Sequence, residues 1–362
     1  MFKLVIATLR NMIGKDQHQE VAGGSSAIQA GRDIAVTHVG LTYAEARQVA
    51  LDVFRANFFQ LAGEAKEVAR ARAEEVTEEF LSKLEKENPS GLGKAQDPDF
   101  QYALFTVQRE FARTGDKDLG DLLVDLLVDR SKQQQRDILQ IVLNESLGTA
   151  PKLTEAQLAV LAVVFLFKYT QNFGVGNHAM LGTYLDKHVA PFADKLVKND
   201  ASYQHLQFSG CGSIGLGSIA LEDILSRTYQ GQFLKGFEPT EVEAQQISIG
   251  RDDRVFMPCL NDPAKFQVRA NSHESLDKLL ESLNVPAEDR PRIRTLFDQN
   301  KMSHEEVKNK VIEIRPFMAD VFETWSASPM KNFTLTSVGI AIGHANIKRL
   351  VGEFADLSIW IN

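Results

Sequence analysis

The sequence predicts a mainly α-helical protein, a helical bundle with a long N-terminal helix and small β elements in the leader, the middle and the C-terminal α+β region. The chain has 362 residues, which suggests two or three domains at roughly 100–200 residues per domain. Hydrophobic residues make up 44% and recur at helical spacing over most of the chain. Short stretches of alternating apolar and polar residues are typical of strands.

The charge and cysteine content narrow the class of protein. A formal net charge of −8 disfavours broad nucleic-acid contact, which needs a basic face. The net charge does not exclude a local basic patch. Cys211 and Cys259 make no disulfide framework, as is typical of a reducing cytoplasm. No run of about 18 uncharged apolar residues is present. We therefore expect a cytoplasmic protein without a membrane-spanning helix.

The first domain, residues 1–40, begins with an amphipathic pattern. Lys3 and Arg10 lie opposite an apolar face. Such a helix either meets a membrane surface or a partner, or packs on the core of its own chain. A membrane contact would place the protein at the periphery of the inner membrane. The candidate membrane or partner face consists of Phe2, Val5, Ile6, Leu9, Met12 and Ile13.

Residues 25–40 alternate like two short strands around a turn. A lone hairpin is marginally stable in water, so it must dock on the body or pair with a second copy. The helix that follows has an apolar stripe that could run beside a copy of itself. We therefore expect a homo-oligomer. Its candidate contact residues are Ile28, Gly31, Ile34, Val36, Phe54, Phe58 and Leu61.

The second domain, residues 41–150, opens on a capping-box pattern, Thr42 with Glu45. An apolar stripe from Tyr43 to about Glu87 predicts a rod of about 65 Å, unless Gly63 breaks it. Two or three further helices complete this domain.

Residues 151–250 form the third domain and residues 251–362 the fourth. Helices are expected from Thr154 to Tyr169 and over about 181–197, 219–233, 273–284, 287–299, 303–324 and 337–350. Strands are expected at 205–208, 255–260, 266–270, 333–335 and 357–361.

Gly210, Gly212 and Gly215 match G-x-G-x-x-G between a predicted strand and a predicted helix. They are the candidate cofactor-binding residues of a nucleotide-dependent enzyme. The wider context argues against that reading, because the preceding chain is helical and no second strand carries an acidic residue about 20 positions on. A glycine-rich turn that serves packing is the alternative.

Two segments resemble each other: Thr228 is followed by Gly231, and Thr336 by Gly339, each after a possible strand. A winged-helix nucleic-acid-binding module has such strand-to-helix turns. The alternative is two unrelated turns, capped by threonine and packed closely at glycine.

Catalytic patterns are absent from the sequence, which contains no phosphate-binding loop, no H-E-x-x-H and no G-x-S-x-G. The eight histidines are scattered, and His178 and His188 lack a ligand at metal-binding spacing. We expect no catalytic residue, metal or cofactor, and the sequence favours a non-enzymatic protein over an enzyme.

Three segments carry a resemblance, namely AIQAGRDI at 27–34, QDPDFQYA at 96–103 and LTSVGIAIGHAN at 335–346. Together they resemble an uncharacterised bacterial family over nearly the whole chain. The central strand, glycine turn and Thr-x-x-Gly helix are similar to abortive-infection alpha proteins, an analogy of fold. That family carries no assigned activity. We expect a non-enzymatic, oligomer-forming protein in anti-phage defence or stress, acting at the membrane surface through its first helix. The alternatives are the winged-helix regulator and the nucleotide-dependent enzyme.

Overall fold

The computed structural model describes residues 41–57 and 63–362. The predicted first helix and hairpin lie outside these residues. Within the described part the protein is mainly α-helical with two small antiparallel sheets, which confirms the predicted fold class. None of the described helices combines the length and the apolar character needed to cross a bilayer.

The first part of the fold is a set of five packed helices. They are α1 (Tyr43–Asn57), α2 (Glu64–Glu87), α3 (Pro98–Thr114), α4 (Lys117–Ser131) and α5 (Ile138–Thr149), with a 3₁₀ helix at Pro89–Gln96. The capping box before α1 is present, since Thr42 N donates to Glu45 Oε2 at 2.8 Å. The predicted rod is interrupted, and Gly63 starts α2 with a φ of +61°. The Tyr43 hydroxyl donates to Glu78 at 2.7 Å, so α1 folds back along α2.

The second part is built around two buried helices, α6 (Glu155–Tyr169) and the late α16 (Ser337–Val351). Thr154 and Gln157 form the expected capping box of α6. Ten of the 15 residues of α16 are buried, because it packs against α4, α5 and α6. A Cβ on Gly343 would lie only 2.8 Å from the Leu161 carbonyl oxygen, so glycine permits the close approach of α16 to α6.

The remaining elements surround this pair. In chain order they are α7 (His178–His188), α8 (Ala190–Ala193), α9 (Asp200–Phe208), β1 (Gly212–Ile214), α10 (Leu221–Thr228), a 3₁₀ helix (Gln230–Phe233), α11 (Pro239–Ala244), β2 (Phe256–Pro258), β3 (Phe266–Val268), α12 (His273–Ser282), α13 (Asp289–Asp298), α14 (His304–Ile314), α15 (Met318–Ala327), a 3₁₀ helix (Pro329–Asn332), β4 (Phe333–Leu335) and a 3₁₀ helix (Leu357–Ile359). One apolar core extends from Ala46 to Ile361, across the predicted domain boundaries at 150 and 250.

One sheet joins two strands that are far apart in the sequence, and the other joins two strands that follow each other. β1 pairs antiparallel with β4, with Ser213 opposite Thr334. β2 pairs antiparallel with β3, with Met257 opposite Gln267. The predicted strands at 255–260 and 266–270 are therefore present in shorter form, and the strand predicted at 333–335 is present with the predicted bounds.

A second, smaller core lies in residues 234–297 and includes Val255, Leu276 and Phe297. Its segment leaves and rejoins the main body at one place, where Lys235 N donates to Asn300 O at 2.8 Å. Buried side chains then fasten the two cores together, because Gln230 Nε2 donates to Phe297 O at 2.7 Å.

Several sequence predictions are wrong in detail. The helix expected over about 181–197 is two helices, α7 and α8, and the helix expected over 219–233 is α10 followed by a 3₁₀ helix. Residues 205–208 belong to α9 rather than a strand, because Asn199 caps a helix whose buried face carries Tyr203 and Leu206, three residues apart. The strand predicted at 357–361 is absent, and a 3₁₀ helix at Leu357–Ile359 takes its place. The single helix expected over 303–324 is two helices, since Pro316 separates α14 from α15.

Replacing Gly339 by alanine is expected to destabilise the fold by about 3 kcal/mol. The new Cβ would lie 1.9 Å from the backbone oxygen of Cys211, so either α16 or the turn must shift. Urea unfolding of the purified protein measures the change.

Gly148→Ala is the matched control, because a Cβ at Gly148 in α5 meets no atom within 4 Å. Alanine is favoured over glycine in a helix by up to about 1 kcal/mol, so this variant should be as stable as the wild type or more so. Equal stability of the two variants would contradict the close packing at Gly339.

Candidate binding site

The three candidate glycines of the nucleotide fingerprint have positions in the packing of the turn. Gly210, with φ +76°, follows α9 at the left-handed position of a helix-ending turn, in which Cys211 N donates to Leu206 O at 2.9 Å. A Cβ on Gly212 would meet the Phe333 ring at 2.5 Å, whereas Gly215 has more room. The strand between them belongs to an antiparallel pair and not to the parallel sheet that a dinucleotide fold uses.

The two Thr-x-x-Gly segments share close glycine packing rather than a free helix. Cβ atoms on Gly231 and Gly339 would lie 2.0 Å and 1.9 Å from the carbonyl oxygens of Ala270 and Cys211. Thr336 caps α16 and accepts from Gly339 N. Because α16 is largely buried, it offers no open face to a nucleic-acid groove.

The predicted interaction residues are mostly outside the described chain. These are Phe2, Val5, Ile6, Leu9, Met12 and Ile13 of the first helix, and Ile28, Gly31, Ile34, Val36, Phe58 and Leu61 of the proposed oligomer contact. Phe54 is described, and it is buried beside Ala69, Ala73 and Ala112 of its own chain.

A cavity of about 570 Å³ with mainly apolar walls lies between α6, α7 and the C-terminal segment. It is lined by Tyr169, Thr170, Gln171, Asn172, Phe173, Gly174, Tyr184, His188, Phe354, Ala355, Ile359 and Trp360. We call it the aromatic pocket. Two stacked ring pairs contribute to it: Tyr184 with His188, whose centroids are 4.8 Å apart, and Phe354 with Trp360 at 6.0 Å.

Local and distant contacts hold these rings in place. Tyr184 and His188 are four residues apart on α7 and therefore share a face. Trp360 Nε1 donates to the Tyr169 carbonyl at 2.8 Å, which fixes the C-terminal segment against the end of α6. The pocket walls are therefore held both by neighbours on one helix and by a hydrogen bond between residues that are far apart in the sequence.

His188 supplies the clearest polar group of the pocket. Its Nδ1 lies 3.1 Å from the Tyr184 carbonyl, which can only accept, so Nδ1 carries the proton. Burial lowers the pKa of His188, and the ring is neutral at pH 7. Nε2 is therefore a hydrogen-bond acceptor, and it has no partner in the described part of the chain.

A second cavity, of about 440 Å³, shares Phe354 and Ala355 with the aromatic pocket. It is lined by charged groups around Lys348 of α16. Lys348 Nζ donates to Glu87 Oε2 at 2.8 Å and to Asp129 Oδ1 at 3.2 Å. We call Lys83, Glu87, Asp125, Asp129, Lys132 and Lys348 the charge cluster.

Burial and neighbouring charges compete in the charge cluster. Burial alone would lower the pKa of Lys348, but Asp129, Glu87 and Asp125 raise it above the ordinary lysine value. Burial raises the pKa of Asp125, whose carboxylate is fully shielded from solvent, although Lys83 Nζ lies 2.6 Å away. That contact is an ion pair without hydrogen-bond geometry, since both Asp125 oxygens lack a hydrogen-bond partner.

His344 connects the two cavities. Its Nε2 lies 2.6 Å from the Ala355 carbonyl, and its ring packs edge-on against Phe354 and Phe165. Burial lowers the pKa of His344, so a neutral ring with the proton on Nε2 fits this position.

Sequence reasoning treated His188 as structural or exposed and did not single out the aromatic residues. The Tyr184–His188 spacing on one helix was a local signal that could have suggested a shared face. Trp360 was placed in a predicted strand, and no local signal brings it to Tyr169. Within residues 41–57 and 63–362, no group of three or more His, Cys, Asp or Glu side chains is arranged to hold a metal ion.

Lys348→Met is expected to destabilise the protein by about 2 kcal/mol at pH 7. This is below the roughly 3–5 kcal/mol for a fully buried pair, because the cavity admits solvent. The wild-type contribution of Lys348 is present below the ordinary lysine pKa and lost as the pH rises through its raised value. The difference between variant and wild type should also shrink below about pH 4, where the carboxylates become protonated.

Chemical unfolding at pH 7 and pH 3.5 measures both effects. Lys278→Met is the control, since Lys278 pairs with Glu274 on the exposed surface of α12 and should give a much smaller loss. A Lys348→Met loss that is the same at both pH values would contradict the ion-pair explanation.

The comparisons with known proteins give a family and no named relative. A family model described only as “:-like” matches residues 40–361. No curated protein and no solved structure matches the chain. The match spans every element from α1 to the final 3₁₀ helix. The chain belongs to the family represented by this model.

Proposed function

We propose that the protein is a non-enzymatic, oligomer-forming protein that binds a small, uncharged ring compound in the aromatic pocket. The observation that carries this proposal is the pocket itself, about 570 Å³, in which six of the twelve lining residues carry rings. Pockets of roughly 300–1,000 Å³ with aromatic walls and a few polar groups are typical of small-molecule sites.

The charge of the pocket limits its ligand. None of the twelve lining residues carries a formal charge while His188 is neutral. A phosphate or carboxylate in this cavity would lose water without gaining a cation from the lining residues. Lys278, whose Nζ lies 5.1 Å from the centroid of the Phe173 ring, is already paired with Glu274. Uncharged compounds are therefore favoured over nucleotides.

The ring pairs and the polar groups define the rest of the ligand. A planar ring can stack on Trp360 or Tyr184, as aromatic pairs do. His188 Nε2 accepts a hydrogen bond, and the Asn172 side-chain amide makes no donor contact within the described residues. A ligand with an N–H or O–H group on its ring satisfies this arrangement best. The pocket combines one imidazole with no carboxylate, which favours binding over acid–base chemistry.

The biological setting is proposed from the sequence resemblance. An oligomeric protein of bacterial defence or stress needs a signal, and the pocket offers a place for a small molecule to act as one. The proposal places the protein in the cytoplasm, with contact to the inner membrane surface. The burial of α16 gives no support to the winged-helix alternative.

Fluorine NMR tests the pocket directly. The chain has two tryptophans, and Trp325 is buried between α6 and α10, apart from the pocket. In protein labelled with 5-fluorotryptophan, uncharged ring compounds with a donor group should shift the Trp360 signal and leave the Trp325 signal unchanged. The Trp360→Phe variant assigns the two signals.

His188→Phe should weaken binding of these compounds about tenfold, because one hydrogen bond is lost. Binding to the wild type should also weaken as the pH falls through the lowered pKa of His188, since protonation removes the acceptor. His304→Phe, on the exposed start of α14, is the control and should bind like the wild type. If no uncharged ring compound shifts the Trp360 signal, the proposal fails.

A further inference from the structure

The turn between α9 and α10 is the most apolar exposed feature of the described chain. Residues 208–220 contain no Asp, Glu, Lys, Arg or His. Phe208 is 91% exposed and Leu216 is 107% exposed, the highest values among the large apolar side chains described. Ser213 to Ser218 all face solvent. We call residues 208–220 the apolar tip.

The base of the apolar tip is fixed to the body. Gly215 N donates to Asn332 O at 2.8 Å, and the Asn332 side chain donates back to Gly215 O at 2.8 Å. Ile219 N donates to Lys331 O at 3.0 Å. On the other side, Ile214 N donates to the Gln207 side chain. These bonds hold Leu216 outward, so its exposure is built into the fold.

Positive charge flanks the base of the apolar tip. Lys331 lies in the segment that pairs with the tip, and Lys152 lines a cavity with Ser209 and Gly210. Neither lysine has a carboxylate oxygen within 4.0 Å among the residues that the structure describes. Arg109, which pairs with Glu110 at 2.8 Å, and Glu145 line the same cavity. Lys331 Nζ donates to Ser326 O at 2.7 Å, a neutral partner, so both lysines keep a positive charge that can attract an external anion.

We propose that the apolar tip docks on the surface of an anionic bilayer. Phe208 and Leu216 enter the boundary between headgroups and acyl chains, and Lys152 and Lys331 meet lipid phosphates. Burial of apolar side chains combined with attraction to anionic lipid is the usual basis of peripheral membrane binding. This site lies outside the aromatic pocket and does not depend on a ligand there.

A bilayer fits the apolar tip better than a protein partner. A stable protein interface needs a continuous patch of about 800 Å² on each side. Here Phe208, Ile214 and Leu216 are separated mainly by glycine and serine, which give little continuous apolar surface. A fluid lipid surface can surround each side chain separately.

Co-sedimentation of the full chain with vesicles tests the proposal. Vesicles of phosphatidylcholine with 30% phosphatidylglycerol should bind the wild type, and pure phosphatidylcholine should bind it much less. Leu216→Asp should weaken binding at least tenfold, and Lys331→Gln about fivefold on the anionic vesicles only. Leu216 is fully exposed, so its replacement should leave the melting temperature unchanged.

Ile138→Asp is the matched control, because Ile138 is an exposed apolar residue at the start of α5 and the substitution adds the same charge. It should bind vesicles nearly as well as the wild type. Failure of the wild type to bind anionic vesicles would overturn the proposal, and so would equal binding by Leu216→Asp and Ile138→Asp. If light scattering shows that Leu216→Asp dissociates an oligomer while vesicles bind neither protein, the apolar tip is a subunit contact and the proposal is wrong.

Discussion

The fold depends on how closely one buried helix, α16, approaches its neighbours. Gly339 lies against the carbonyl of Cys211, and Gly343 lies against the carbonyl of Leu161. These two contacts allow a helix near the end of the chain to enter the centre of a bundle made by earlier helices. Because dense interiors have little free volume, neither position can accept a methyl group without a shift of backbone. The position of α16 therefore depends on its two glycines, which have no side chain, as much as on its apolar side chains.

The position of α16 also brings charge and aromatic rings together. Lys348 lies on its buried side among three carboxylates, and one turn earlier His344 meets the aromatic residues of the C-terminal segment. The segment after Gly352 then passes between the two cavities, and its Phe354 lines both of them. An unpaired buried charge is costly, so the ion pairs of Lys348 help to keep α16 in a single position.

Local signals were enough to predict much of the fold. Thr154 and an uninterrupted apolar run specify α6, because a cap and a helix period act within a few residues. The prediction of a strand at residues 205–208 was wrong, since an alternation over only four positions fits a helix face as well as a strand. The pocket could not be predicted, because Trp360 reaches Tyr169 across 191 residues of chain. Such a contact follows from tertiary packing, which no short pattern encodes.

The chain ends of the smaller core at 234–297 lie side by side, which affects how this segment can change in evolution. Its two chain ends meet as a bridge between Leu234 and Lys301, and Met302 N donates back to Phe233 O at 2.9 Å. A segment with adjacent ends and its own apolar interior can lengthen, shrink or be exchanged at the gene level while the strands of chain that bracket it stay in place. The helical body is therefore expected to tolerate changes of length within this segment better than changes in its own buried helices.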